Sequence, residues 1–124
     1  MKRITIRAGE IAAPAELNDS PTAQKIWEAL PIKARGNRWG DEIYFSIPVT
    51  MGSEPGARAD VKVGELGYWP PGNAFCIFFG PTPASDGQEP RAASPVNVLG
   101  KITADAALFR QVKDGEQITL EKAE

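Results

Sequence analysis

Residues 63–83 read Val63-Gly64-Glu65-Leu66-Gly67-Tyr68-Trp69-Pro70-Pro71-Gly72-Asn73-Ala74-Phe75-Cys76-Ile77-Phe78-Phe79-Gly80-Pro81-Thr82-Pro83. The second half holds the most apolar run of the chain, Ala74 to Phe79, bracketed by Gly72-Asn73 and Gly80-Pro81. That run is too short for a core helix and is rich in aromatic residues. It predicts a strand buried on both faces. Pro70-Pro71-Gly72 ahead of it predicts a stiff turn, because proline pre-sets φ and glycine permits the reversal.

The flanking chain supplies strands to cover it. Lys2 to Ala8 alternates, with Ile4, Ile6 and Ala8 on one face and Arg3, Thr5 and Arg7 on the other, which predicts a half-buried strand. Ile11 to Leu17 returns after Gly9-Glu10, and Pro14, lacking an N–H, predicts an edge position for it. Ser20 as N-cap, Pro21 in the first turn, and Ala23, Ile26, Trp27 and Leu30 at helical spacing predict a helix that Pro31 ends. Thr22, Lys25 and Glu28 take its outer side, and Trp27 reads as core.

Ile32 to Arg35 resumes extended structure, with a hairpin at Gly36-Asn37 or Gly40-Asp41. Glu42 to Val49 returns, Ile43, Phe45, Ile47 and Val49 facing the core and Glu42, Tyr44 and Ser46 facing solvent or a barrel mouth. Thr50 to Asp60 reads as an exposed loop, and Pro81 to Pro95 as a second one whose four prolines favour a fixed shape. Val96 to Ile102, a short helix over Ala104 to Val112, and a last strand over Gln117 to Glu121 follow. Seven or eight strands with two short helices predict a mainly β barrel or sandwich.

A chain of 124 residues supports one domain over 1–124. Twelve glycines and eleven prolines, spread between apolar runs without a period, mark turns rather than disorder. The net charge of −2 offers no general attraction to nucleic acid, and Lys33, Arg35 and Arg38, the one local basic cluster, read as a solvated strand face. No apolar stretch has the length of a signal peptide core or a membrane span, so no membrane partner is expected. Cys76, the single cysteine, has no internal disulfide partner, and cytoplasmic placement is the simplest expectation.

Histidine is absent. That excludes Ser-His-Asp and Cys-His catalysis, histidine-bearing zinc sites and an imidazole pH switch. No cofactor or metal is expected: Asp41, Glu42, Glu65 and Glu89 read as solvated strand ends and turns. Ser85 and Ser94 lack a base, and Cys76 reads as inert packing.

Gly40 to Val49, Gly64 to Pro83 and Glu89 to Ile102 together resemble the small prokaryotic cyclophilin-like family of the Thermotoga type. The tyrosine-tryptophan-proline run followed by the phenylalanine-rich strand is the most specific part. The resemblance implies a closed cyclophilin-like β-barrel of about eight strands with helices over its open ends. It implies no settled activity, since barrels of this fold serve unrelated chemistries. The phenylalanine-histidine-arginine run of true isomerases is missing, so no catalytic residue carries over.

The candidate ligand-binding residues are Arg35, Tyr44, Tyr68, Trp69, Phe79 and Arg91: an aromatic groove with an arginine able to hold a carboxylate or carbonyl. The same rings could instead fill the barrel. Three functions stand. One is a non-enzymatic module for a peptide or small-molecule ligand. Another is a weak peptidyl-prolyl isomerase using Arg35 or Arg91 as donor. The third is a self-associating structural protein, a homo-oligomer with Trp39 and Tyr68 at the contact.

Overall fold

The computed structural model describes residues 2–123. Strand β1 (Lys2–Ala8) and strand β2 (Ile11–Leu17) form a hairpin, and helix α1 (Pro21–Ala29) follows. Strands β3 (Ile32–Arg35), β4 (Asn37–Arg38) and β5 (Glu42–Ser46) come next. After the short β6 (Arg58–Asp60), β7 (Glu65–Trp69) leads through one 3-10 turn at Pro70–Gly72 into β8 (Ala74–Phe78). The long β9 (Arg91–Ile102), a 3-10 helix over Ala106–Gln111 and β10 (Gln117–Lys122) complete the order.

The fold is mainly β with two short helices. Its main sheet runs β3-β10-β1-β2-β9-β7-β8-β5-β4, and β6 pairs with β9 off that path. Hydrogen bonds do not close it, so the expected closed barrel is corrected. The ladder has two ends, β3 and β4, and both belong to one segment that bends at Gly36. Its first half pairs with β10 and its second with β5. Gly36 N donates to Glu116 O at 2.9 Å, and Gly36 O accepts from Gly115 N at 2.8 Å. A Cβ here would lie 3.0 Å from Ile43 Cγ2 and 3.1 Å from Ile118 Cγ1, so glycine lets the bend press against both neighbours. The gap is spanned by covalent backbone rather than by a ladder.

Three further expectations change. β2 is internal, between β1 and β9, although Pro14 predicts an edge. Only Ala15–Leu17 pairs with β9, and Pro14 sits just beyond that run with its carbonyl accepting from Thr103 N at 3.0 Å. Thr22, expected on the outer face of α1, is buried. Its N–H and hydroxyl both donate to Glu54, whose own N–H donates to Asn97 Oδ1 at 2.8 Å. Asn97 Nδ2 in turn donates to Gly52 O at 3.0 Å, so this network fixes the 50–57 loop, which then continues into β6. The Pro81–Pro95 loop is shorter than expected, because β9 starts at Arg91.

β8 is buried on both faces, as its composition predicts, because two cores meet it. Phe75 and Ile77 enter the main core with Ile6, Leu17, Ile26, Leu66 and Leu120. Phe75 stacks on Phe45 with ring centroids 5.4 Å apart. Ala74, Cys76 and Phe78 point outward into a second, smaller cluster with Val61, Ala92 and Val96. Gly67 allows this second layer: a Cβ there would stand 2.8 Å from Val96 Cγ2. Tyr44 and Trp69 pack at the edge of that cluster.

Candidate functional site

The second core leaves a cleft at its rim. In the β5–β8 ladder Glu42 opposes Phe78 and Tyr44 opposes Cys76, so the two side chains of β5 share the outward face with the second cluster. Gly40-Asp41 makes the tight turn, with Trp39 and Glu42 exchanging N–H···O bonds of 2.9 and 3.2 Å, and this folds Trp39 back beside Glu42. Trp69, at the end of β7, and Ala92 and Ala93, at the start of β9, close the far side. Trp39, Glu42, Tyr44, Trp69, Ala92 and Ala93 together line a volume of about 250 Å³.

Glu42 is only 5% exposed. Burial raises its pKa to about 7, opposed by the neighbouring Cys76 thiol. The thiol's geometric hydrogen-bond contact is the Ala74 carbonyl, 3.9 Å away, so its help to the carboxylate is weak and burial decides. Among the described residues no ion pair includes Glu42: the five pairs are Arg7–Glu121, Arg38–Asp41, Arg58–Glu65, Arg91–Asp60 and Arg91–Asp86. A carboxyl held this way ionises near neutral pH and faces an aromatic space without a cation. Burial, then the adjacent Glu42 charge, pushes the Cys76 thiol well up, which makes it a poor nucleophile.

Trp69 is held at two edges. Its indole N–H donates to Ser94 Oγ at 2.6 Å, and the Gly72 backbone lies against its ring.

Of the residues named from the sequence, Tyr44 and Trp69 meet in the cleft and the others lie elsewhere. Tyr68 points into the main core, fully buried; its hydroxyl donates to Val49 O at 2.6 Å and accepts from Met51 N at 3.1 Å. Phe79 packs in the main core against Phe109, with the Arg38 guanidinium 4.9 Å from its ring centroid. Arg35 donates to Gly115 O at 3.0 Å, at the end of β3. Arg91 adjoins the lining at Ala92, but its guanidinium turns to Asp60 at 2.8 Å and Asp86 at 3.0 Å. The acidic set does not assemble: Asp41 pairs with Arg38, Glu65 with Arg58, and Glu89 is exposed.

The sequence alone places Glu42 at a solvated strand end and Trp39 only at a partner surface. The available signal was β8 itself. A strand buried on both faces needs cover on its outer side, and the neighbouring β5 shares that cover.

The cyclophilin-like family model matches residues 2–121, and the chain belongs to the cyclophilin-like family. A hypothetical protein from Archaeoglobus fulgidus, known from its solution structure, is 42% identical to this chain. The match covers 98% of this chain and 95% of that one, with a TM-score of 0.83. The structure of McbB in complex with tryptophan matches with a TM-score of 0.70 at 14% identity, over 96% of this chain and 44% of McbB. That second likeness is one of fold alone. No curated protein matches the chain. Among the described residues no helix is long and apolar enough to cross a membrane.

Proposed function

We propose that this protein is a non-enzymatic binding module that takes a small organic ligand, or one side chain of a peptide, in the Trp39–Tyr44–Trp69 cleft. The observation that carries this reading is the pairing of three half-buried aromatic side chains with one buried carboxyl that has no ion-pair partner among the described residues. Small-molecule sites are built this way, mostly apolar with few placed polar groups. Cores are not, because an unpaired buried charge is costly.

The isomerase alternative needs an arginine over an apolar slot. Arg35 and Arg91 are both engaged away from the cleft, so that reading draws no support from them. Self-association draws little more, since Tyr68, one of its two contact residues, is fully buried.

Intrinsic fluorescence tests the reading, because Trp39 and Trp69 both line the cleft. Titration with pools of small metabolites and short peptides is expected to give a saturable shift. Trp69→Ala is expected to abolish that binding while thermal unfolding stays cooperative. Unchanged affinity in a folded Trp69→Ala protein would remove the cleft from the account.

A further inference from the structure

We infer that the cleft selects an organic ammonium: a small ligand whose protonated amine sits against the Glu42 carboxylate between the rings of Trp39, Tyr44 and Trp69. The inference rests on the small-ligand reading above and gives it a chemical class.

Charge is the first argument. A desolvated carboxylate is stabilised by a cation at contact distance, and the protein provides none at Glu42. The nearest arginine in sequence, Arg38, is turned to Asp41 at 3.3 Å and to the Val112 carbonyl at 2.8 Å. The missing counter-charge is therefore left for a ligand. Aromatic faces are the second argument. They carry negative quadrupole density and attract ammonium groups, most strongly when water is excluded. Three such side chains beside one carboxylate favour a cation and disfavour an anion. The third argument is the far wall. The Trp69 N–H, which could have served an anionic ligand, is taken by Ser94, and Ala92 and Ala93 add no charged group, so the donors left are the neutral Trp39 indole N–H and Tyr44 hydroxyl. Size narrows the class, since about 250 Å³ lies below the roughly 300–1,000 Å³ of drug-sized sites.

The site has a built-in pH response. The groups facing Glu42 are Cys76 and Phe78 from β8, Tyr44 from its own strand, Trp39 from the hairpin, Trp69 from β7, and Ala92 and Ala93 from β9. Only the Cys76 thiol joins burial in setting where Glu42 titrates, about 7. An alkylamine stays protonated throughout this range, so binding follows the ionised fraction of Glu42. That fraction rises from about one-tenth at pH 6 to about nine-tenths at pH 8, which tightens the apparent Kd about tenfold.

Calorimetric titration with two isosteric sets tests this: 2-phenylethylamine, 2-phenylethanol and 3-phenylpropanoate, then n-butylamine, n-butanol and butyrate, each at pH 6 and pH 8. Either amine is expected to bind while its alcohol and acid do not, about tenfold more tightly at pH 8. Glu42→Gln is expected to erase the amine preference. Should that variant not fold, the pH dependence of the unaltered protein decides. An alcohol or acid binding as tightly as its amine overturns the ammonium class and leaves the small-ligand reading standing. Amine affinity that ignores pH, or survives Glu42→Gln, also overturns the class. Silence from all six compounds overturns the ammonium class, and the small-ligand reading is then decided separately by the fluorescence titration with metabolite and peptide pools.

Discussion

Trp69 donates its indole N–H to Ser94 Oγ at 2.6 Å, so a residue of β9 fixes the angle of the ring that β7 contributes to the cleft. A wall locked before the ligand arrives spares the entropy of ordering it on binding. Ser94→Ala is expected to weaken ligand binding about threefold to tenfold, in line with one net hydrogen bond of about 1 kcal/mol. Parallel titrations of both proteins check this, and identical affinities would show that the ring needs no such hold.

Glu42 makes stability depend on pH. Its folded pKa of about 7 lies above the ordinary 4.5, so between those values the folded state binds more protons than the unfolded state. Stability is therefore expected to fall as pH rises from about 4.5 through 7, by about 3 kcal/mol in all. Glu42→Gln removes the titrating group, and its Tm is expected to stay flat over the part of this range that Glu42 controls. Thermal melts of both proteins from pH 5 to pH 8 give the comparison. A falling Tm in both would assign the slope to other groups.

Cys76 is expected to resist thiol reagents in the native protein. It is 1% exposed, and burial beside Glu42 holds its proton on. Labelling at neutral pH should proceed only as fast as the protein opens, and denaturant should make it rapid. Prompt labelling of the folded protein would contradict this.

Tyr68 anchors a loop rather than a ligand. Tyr68→Phe leaves the Val49 carbonyl and the Met51 N–H without their hydroxyl partner. A loss of about 1–2 kcal/mol is expected by denaturant unfolding, with faster amide exchange at Met51 and unchanged ligand affinity. A drop in affinity with stability intact would return Tyr68 to the binding surface.

The fold was largely legible because its signals are local. Alternation marked β1 and β5, capping and spacing marked α1, and the Ala74 to Phe79 run marked a strand covered on both sides. The cleft was legible only in part. Tyr44 and Trp69 stand out as aromatic residues on strands, but whether each faces in or out depends on which strand lies beside it. Tyr68 and Trp69 are adjacent and point to opposite faces of β7, so the core takes one and the cleft takes the other. Glu42 was hidden for the same reason. It shares the outward face of β5 and β8 with Cys76 and Phe78 of the second cluster, more than thirty residues away in the chain, and no local pattern in β5 announces that neighbourhood.

The place of β10 between β1 and β3 has a consequence for biosynthesis. Arg7 pairs with Glu121 across that ladder, 114 positions away in the chain. As the nascent polypeptide emerges from the ribosome, β1 and β3 both appear long before the strand that joins them. Until β10 arrives, each presents a row of unpaired backbone groups, and the main core lacks Ile118 and Leu120. Folding of the main sheet is thereby deferred until β10 itself is free. During that interval the open edges of β1 and β3 are the backbone most exposed to non-native strand pairing.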